Sequence, residues 1–124
     1  MRVLLLLLVL VGSVARAQTV KNLFAGEWVE KKTGRHLRIE IIAKWNLAEI
    51  SDWRGDYYAK GAMVDVYKAA VKGNKLVMAE DRVEHRATYA ELVLRGPLLV
   101  YRWKGLEQTN RGFVDSAVFV RRKQ

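Results

Sequence analysis

The chain of 124 residues contains no cysteine and only one proline. The absence of cysteine excludes disulfide bridges, thiolate metal sites, cysteine nucleophiles and lipid attachment to cysteine. One proline and nine glycines exclude a collagen-like or low-complexity chain. The residues that are present favour a folded protein, since 51% are hydrophobic and they include four Trp, five Tyr and three Phe. Length and composition together predict one domain.

The first residues have the layout of a secretory signal peptide. Arg2 supplies a positive start, residues 3–11 are all apolar, and residues 15–17 read Ala-Arg-Ala, a small-x-small cleavage site. The apolar run is shorter than the ~20 residues that a membrane-spanning helix needs. A cleaved signal is therefore favoured over an uncleaved anchor or a buried N-terminal element. We expect removal of residues 1–17 and folding of residues 18–124 as a single domain.

Cleavage would change both the length and the charge of the protein. It leaves 107 of the 124 residues, and the loss of Arg2 and Arg16 lowers the net charge from +9 to +7. Exported small domains often rely on disulfides, but this chain has no cysteine, and it has no Asn-x-Ser/Thr glycosylation acceptor either. We therefore expect a bacterial periplasmic or secreted protein without a lipid anchor, with a modest hydrophobic core.

The remaining chain has the pattern of short strands joined by tight turns. Residues 36–41 alternate strictly between polar and apolar, with His36 on the polar face. Thr33-Gly34 marks a turn between this strand and the one that contains Trp28. Glycine-containing turn signals separate further strand-like segments, which are residues 47–52, 62–70, 75–80, 83–94, 98–103 and 113–121. About eight strands at hairpin spacing predict an all-β fold, an antiparallel up-and-down barrel or meander.

Two segments also fit helical spacing. In residues 63–70 and 83–94 apolar side chains recur at intervals of three and four, and the second segment is rich in helix formers. The alternative fold is therefore an α+β sheet with one packed helix. Ala90, Leu92 and Leu94 also alternate at strand spacing, so the sequence leaves the conformation of residues 83–94 open.

The first strand begins with Gly26-Glu27-Trp28, which resembles the Gly-x-Trp motif of lipocalins and related calycins. The resemblance implies a small β-barrel in which the Trp closes the base and packs on an Arg near the end of the last strand. Arg121 or Arg122 would supply that Arg, and we take Gly26, Trp28 and Arg121 as the barrel-closure residues. A guanidinium over an indole ring contributes roughly 1 kcal/mol. The resemblance also implies binding of a small ligand.

The candidate ligand-binding residues are mainly aromatic. Tyr101 and Trp103 share one face of a strand, Trp45 and Trp53 flank another strand, and Tyr58 follows a turn. An eight-stranded barrel either fills its interior with side chains or holds one small ligand, so a packed interior is the alternative to a pocket.

Arg86 is the candidate for an internal cation. If Leu92 and Leu94 point inward, period-two alternation directs Arg86 inward too, and a buried guanidinium requires an anion such as a ligand carboxylate. If the strand instead ends before Arg86, the side chain is solvated.

The sequence contains no recognisable catalytic or metal-binding motif. His36 and His85 are far apart, and no cluster of His, Asp and Glu has the spacing of metal ligands. Ser51-Asp52 and Asp115-Ser116 have no neighbouring His, and there is no Gly-x-Ser-x-Gly. We read Asp52 as a residue that flanks a turn. We expect no enzymatic activity, no metal and no cofactor.

Basic residues cluster at two places. Lys31, Lys32 and Arg35 lie around the first hairpin, and residues 121–123 are all basic. Because export argues against nucleic acid as a partner, anionic cell-envelope surfaces are the better candidates. The alternative is that this charge only keeps the protein soluble. The sequence thus predicts a monomeric exported protein that binds a small apolar or anionic amphipathic molecule. The alternative is an envelope interaction protein with a packed core and a basic surface, and a hydrolase ranks third.

Overall fold

The computed structural model describes residues 23–57, 60–78, 89–104, 112–113 and 115–123, and these residues form eight strands and one short 3-10 helix. The 3-10 helix, Ala43–Trp45, follows the second strand. The strands are β1 Gly26–Glu30, β2 Arg35–Ile42, β3 Leu47–Arg54, β4 Val64–Lys72, β5 Lys75–Met78, β6 Ala90–Arg95, β7 Leu98–Trp103 and β8 Asp115–Arg121.

The strands form a closed antiparallel barrel in which each strand pairs with its neighbours in the sequence. Pairing of β1 with β8 closes the barrel through Trp28↔Arg121 and Val29↔Val120. The prediction of an all-β, eight-stranded up-and-down barrel is confirmed. The α+β alternative fails where it can be checked, because residues 90–95 form strand β6. Residues 83–88 lie outside the described residues.

Strict alternation along the strands separates a packed interior from the outer surface. Leu37 and Ile39 of β2 face inward, and their register partners Asp52 and Ile50 of β3 share that face. The fully buried interior side chains include Trp28, Phe24, Phe119, Leu37, Ile39, Ile50, Leu76, Leu92 and Leu99.

The barrel has two different ends. We call the end where β1 begins and β8 ends the base end, and it also carries the Ala43–Trp45 helix and the turns at residues 73–74 and 96–97. We call the opposite end the mouth end, where β1, β3 and β7 finish and β2, β4 and β6 begin. Phe24 and Trp28 fill the interior at the base end, so that end is plugged by apolar side chains.

Strand boundaries differ from the predicted ones by a few residues, for identifiable reasons. Strand β3 continues to Arg54 because it stays paired with Arg35 of β2, and the Gly55 amide then donates to the Gly34 carbonyl at 3.3 Å. Strand β4 continues to Lys72 because its link to β5 is only two residues long, and Gly73 in that link has a φ of 59°.

Candidate functional site

The base end is closed by a contact between Trp28 and Arg121. The guanidinium carbon of Arg121 lies 4.3 Å from the centroid of the Trp28 ring. Its two terminal nitrogens donate to the backbone carbonyls of Ala25 at 2.7 Å and Leu23 at 2.6 Å. The Trp28 indole donates in turn to the Phe24 carbonyl at 2.9 Å. One arginine therefore ties the end of β8 to the segment that enters β1.

Gly26 permits this closure for two reasons. Its φ of 121° lies in a region that side chains with a Cβ rarely adopt, and a Cβ at this position would lie 2.8 Å from Nη1 of Arg121. Arg122 has a different role, since it forms an ion pair with Glu27 outside the barrel. Of the two arginines considered from the sequence, Arg121 is the one that stacks on Trp28.

A polar cluster lies inside the barrel near the mouth end. Arg35 of β2 binds Asp52 of β3 through two hydrogen bonds, from Nε at 3.0 Å and from Nη2 at 2.7 Å. The hydroxyl of Tyr67 on β4 donates to the same carboxylate at 2.7 Å. Three adjacent strands thus contribute to one hydrogen-bonded group, which we call the mouth cluster: Arg35, Asp52 and Tyr67.

The electrostatics of the mouth cluster hold it in one charge state. Burial by itself lowers the pKa of Arg35, but the hydrogen bonds and charge of Asp52 outweigh that effect and raise it above the ordinary value. Burial, the nearby Tyr101 hydroxyl and the Asp52 carboxylate raise the pKa of Tyr67 well above its usual range. At neutral pH Arg35 is therefore protonated and Tyr67 is neutral, and Arg35 forms an ion pair with Asp52.

Aromatic rings surround the mouth cluster. The Arg35 guanidinium lies 4.7 Å from the Tyr101 ring centroid and 5.7 Å from that of Phe119. Trp103 packs edge-on against Tyr101 at a centroid distance of 5.9 Å. At the rim, a pocket of about 390 Å³ is lined by Arg35, Asp52, Trp53, Arg54, Met63 and Asp65. Four of its six lining residues are charged, and neither Tyr101 nor Trp103 is among them.

Trp53 belongs mainly to the outer wall. Its register partner His36 stacks on it with a centroid distance of 5.1 Å and an interplanar angle of 7°. Arg38 lies 5.2 Å from the Trp53 ring centroid and 4.8 Å from that of Tyr57. Trp53 is buried, but it contributes to the pocket rim while its ring packs outside the barrel.

The candidate ligand-binding residues predicted from the sequence therefore do not form one site. Tyr101 and Trp103 face the interior at the mouth end, whereas Trp45 is 60% exposed in the 3-10 helix at the base end. The physical reason is that β2 leaves the barrel at the base end, so the turn after it lies a full strand length from the end of β7. Tyr58 and Arg86 lie outside the described residues.

Sequence reasoning missed the mouth cluster. The sequence predicts a basic cluster of Arg35, Lys31 and Lys32 around the first hairpin and an Asp52 that flanks a turn. Asp52 instead lies within β3 and faces inward. Alternation contained the missing signal. Arg35 has the same parity as Leu37, and Asp52 has the same parity as Ile50, so both side chains had to enter the core.

Two further polar groups lie on the outer wall. Glu27 binds Arg38 at 3.2 Å and also contacts Arg122, and these residues line an open groove of about 980 Å³. Glu91 is only 2% exposed and accepts hydrogen bonds from Arg102 at 2.7 Å and Tyr89 at 3.1 Å. In both groups the carboxylates are already paired with cations of the same chain.

No protein-family model, curated protein or solved structure matches this chain. Within the described ranges, no group of three or more His, Asp and Glu side chains is placed to hold a metal ion. None of the helices in the described part of the chain is long and apolar enough to cross a membrane.

Proposed function

We propose that the protein is an exported, non-enzymatic binding protein that holds a small amphipathic molecule at the mouth end of a calycin-like barrel. The mouth cluster carries this proposal. A charged pair inside an apolar barrel is costly to desolvate, and apolar side chains would fill the same volume at less cost. Its position beside aromatic rings and next to a rim pocket that is open to solvent supports ligand binding at this end.

The packing of the barrel restricts the ligand to the mouth end. Large side chains such as Phe24, Trp28 and Leu76 are fully buried in the part of the interior towards the base end. Towards the mouth end the inward-facing positions include small residues, Ala90 and Ala117, beside Tyr101 and Trp103. We propose a short ligand that lies over these residues rather than a long chain that enters the barrel deeply.

The charge balance of the mouth cluster favours an uncharged polar head group. A ligand carboxylate would have to compete with Asp52 for the guanidinium of Arg35. A hydroxyl or amide can donate to the carboxylate or accept from the guanidinium while that pair stays intact. The apolar part of the ligand would then pack on Tyr101 and Trp103.

A titration with two amphiphiles of equal chain length tests the proposal. Dodecan-1-ol and laurate are added to the protein while Trp fluorescence is followed, and native mass spectrometry checks the stoichiometry. We expect one molecule per chain and tighter binding of the alcohol. Trp103→Leu should weaken binding of the alcohol about tenfold, which corresponds to ~1.4 kcal/mol. Trp45→Phe is the matched control and should leave the affinity unchanged.

Asp52→Asn gives a second, directional test of the same site. It keeps the shape of the side chain but leaves the Arg35 charge without its counter-ion, so laurate should gain about tenfold in affinity relative to the alcohol. A thermal melt shows whether the variant is folded. If neither amphiphile binds, or if Trp103→Leu and Asp52→Asn change nothing, ligand binding at the mouth end is wrong.

A further inference from the structure

The base end of the barrel combines an exposed tryptophan with turns that contain cations and no acidic residue. The 3-10 helix contributes Lys44 and Trp45, the turn between β4 and β5 begins at Lys72, and the turn between β6 and β7 follows Arg95. Lys44, Lys72 and Arg95 are all exposed. We call this surface the basic end: Lys44, Trp45, Lys72 and Arg95.

Trp45 is held in its exposed position rather than on a loose loop. Asn46 adopts a left-handed conformation with a φ of 53°, and its amide donates to the Ala43 carbonyl at 3.2 Å. Its side-chain amide donates to the Val71 carbonyl at 3.1 Å, and the Val71 amide donates back to the Asn46 carbonyl at 3.1 Å. These bonds fix the turn against β4, so the 60% exposure of Trp45 is built into the fold.

The surroundings of Trp45 match the chemistry of a membrane interface. The Lys44 ammonium lies 5.9 Å from the Trp45 ring centroid, which places a cation beside the indole. Leu23, half exposed, lies at the same end, where its carbonyl is bonded by Arg121. Tryptophan prefers the headgroup level of a bilayer, and each nearby Lys or Arg is attracted by anionic lipids.

The turns at the two ends of the barrel differ in the kinds of charged residue that they contain. The described mouth-end loops mix cations with acidic residues, as in Glu30 beside Lys31 and Lys32, and Asp56 beside Arg54. The charged residues in the turns of the basic end are all Lys or Arg. An anionic surface therefore meets no repulsive carboxylate in these turns, and electrostatic attraction would orient the barrel with the base end first.

We infer that the basic end docks the protein on a bilayer rich in anionic lipid, with Trp45 inserted among the headgroups and the mouth end facing the aqueous side. A lipid surface fits this end better than a nucleic acid does. Binding of single-stranded nucleic acid uses a groove with several aromatic rings, whereas here a single ring projects from the blunt end of a barrel. This inference goes beyond ligand binding and rests on different residues.

Vesicle binding of residues 18–124, the protein that remains after the expected cleavage, tests the inference. The protein should co-sediment with phosphatidylcholine vesicles that contain about 30 mol% of the anionic lipid phosphatidylglycerol, because anionic lipids attract Lys and Arg side chains. Pure phosphatidylcholine vesicles should not bind. The Trp emission should shift to shorter wavelength on binding, and Trp45→Ala should abolish that shift and weaken binding about fivefold. Because Trp45 is exposed, the variant should fold normally.

A pair of charge-matched variants separates docking through this surface from general attraction. Lys44→Gln with Lys72→Gln removes two cations from the basic end, and Lys31→Gln with Lys32→Gln removes two from the mouth end. The first pair should weaken vesicle binding about 25-fold, or fivefold for each cation, while the second changes it less than about twofold.

Three results would overturn the inference. Equal losses in the two double variants would show that net charge alone drives the binding. An unchanged emission shift in Trp45→Ala would show that another Trp reports it. Tight binding of single-stranded DNA or heparin without any binding to the vesicles would assign the surface to a different polyanion.

Discussion

At the scale of single residues, the close approach of Arg121 to Gly26 leaves no room for a side chain at the start of β1. Gly26→Ala introduces a Cβ at a φ of 121° and 2.8 Å from Nη1 of Arg121. Both effects act in the folded state, so we expect the free energy of unfolding to fall by about 3 kcal/mol. Gly73→Ala also has a positive φ, of 59°, but meets nothing within 4 Å, so its cost should be about 1 kcal/mol.

A double-mutant cycle isolates the contact itself. Arg121→Ala removes the stacking on Trp28 and the two hydrogen bonds to carbonyls, and because Arg121 is exposed we expect a loss of about 2 kcal/mol. In that background Gly26→Ala no longer collides with the guanidinium and should cost less than it does in the parent protein. Denaturant unfolding of the four proteins measures the coupling. Strict additivity would contradict a direct contact between the two residues.

At the scale of elements, Glu91 joins three strands on the outer wall. It lies on β6 and accepts hydrogen bonds from Arg102 of β7 and from Lys75 of β5, the latter at 3.4 Å. Burial raises the pKa of Glu91, but the hydrogen bond and charge of Arg102, together with Tyr89 and Lys75, lower it below the ordinary 4.5. The folded state therefore favours the ionised carboxylate.

This shift predicts how the stability of the wall depends on pH. A lowered pKa in the folded state contributes stability that is complete above about pH 4.5 and is lost as the pH falls through the folded pKa. Glu91→Gln should therefore cost about 2 kcal/mol at pH 7, and its deficit relative to the parent should shrink below pH 4.5. Glu40→Gln, at an exposed position of β2, should stay within about 0.5 kcal/mol of the parent protein. A deficit for Glu91→Gln that is equal at pH 7 and pH 3.5 would contradict the assigned ion pairs.

At the scale of the whole molecule, one continuous interior predicts one cooperative unfolding transition. The buried cluster includes Trp28 towards the base end, and Trp103 packs against it from the mouth end. Opening the β1–β8 seam exposes both regions to water. Chemical unfolding followed by Trp fluorescence and by far-UV circular dichroism should therefore give superimposable curves. A fluorescence transition that precedes the loss of β-structure would instead show that one end unfolds separately.

Alternation and turn residues determined much of the fold without tertiary information. The period of two in residues 36–41 fixed one buried face of β2, and glycine-marked turns set the number of strands. These signals are local, because they depend on the geometry of a single strand or turn. They left residues 83–94 open between strand and helix, and the structure shows residues 90–95 as strand β6. The fine limits of β3 and β4 were not predictable, because they depend on the partner strand.

The mouth cluster and the placement of Trp45 could not be predicted from the sequence, because they depend on which residues the closed barrel brings together. Arg35 and Asp52 are 17 positions apart, and only the β2–β3 register makes them a bidentate pair. Trp45 and Trp103 look equivalent as aromatic residues near strand ends, yet they lie at opposite ends of the barrel. The sequence by itself determined the strands and their inward faces, because side chains alternate along any strand. Only the tertiary structure decided the ends and the neighbours, because these follow from closing eight strands into one ring.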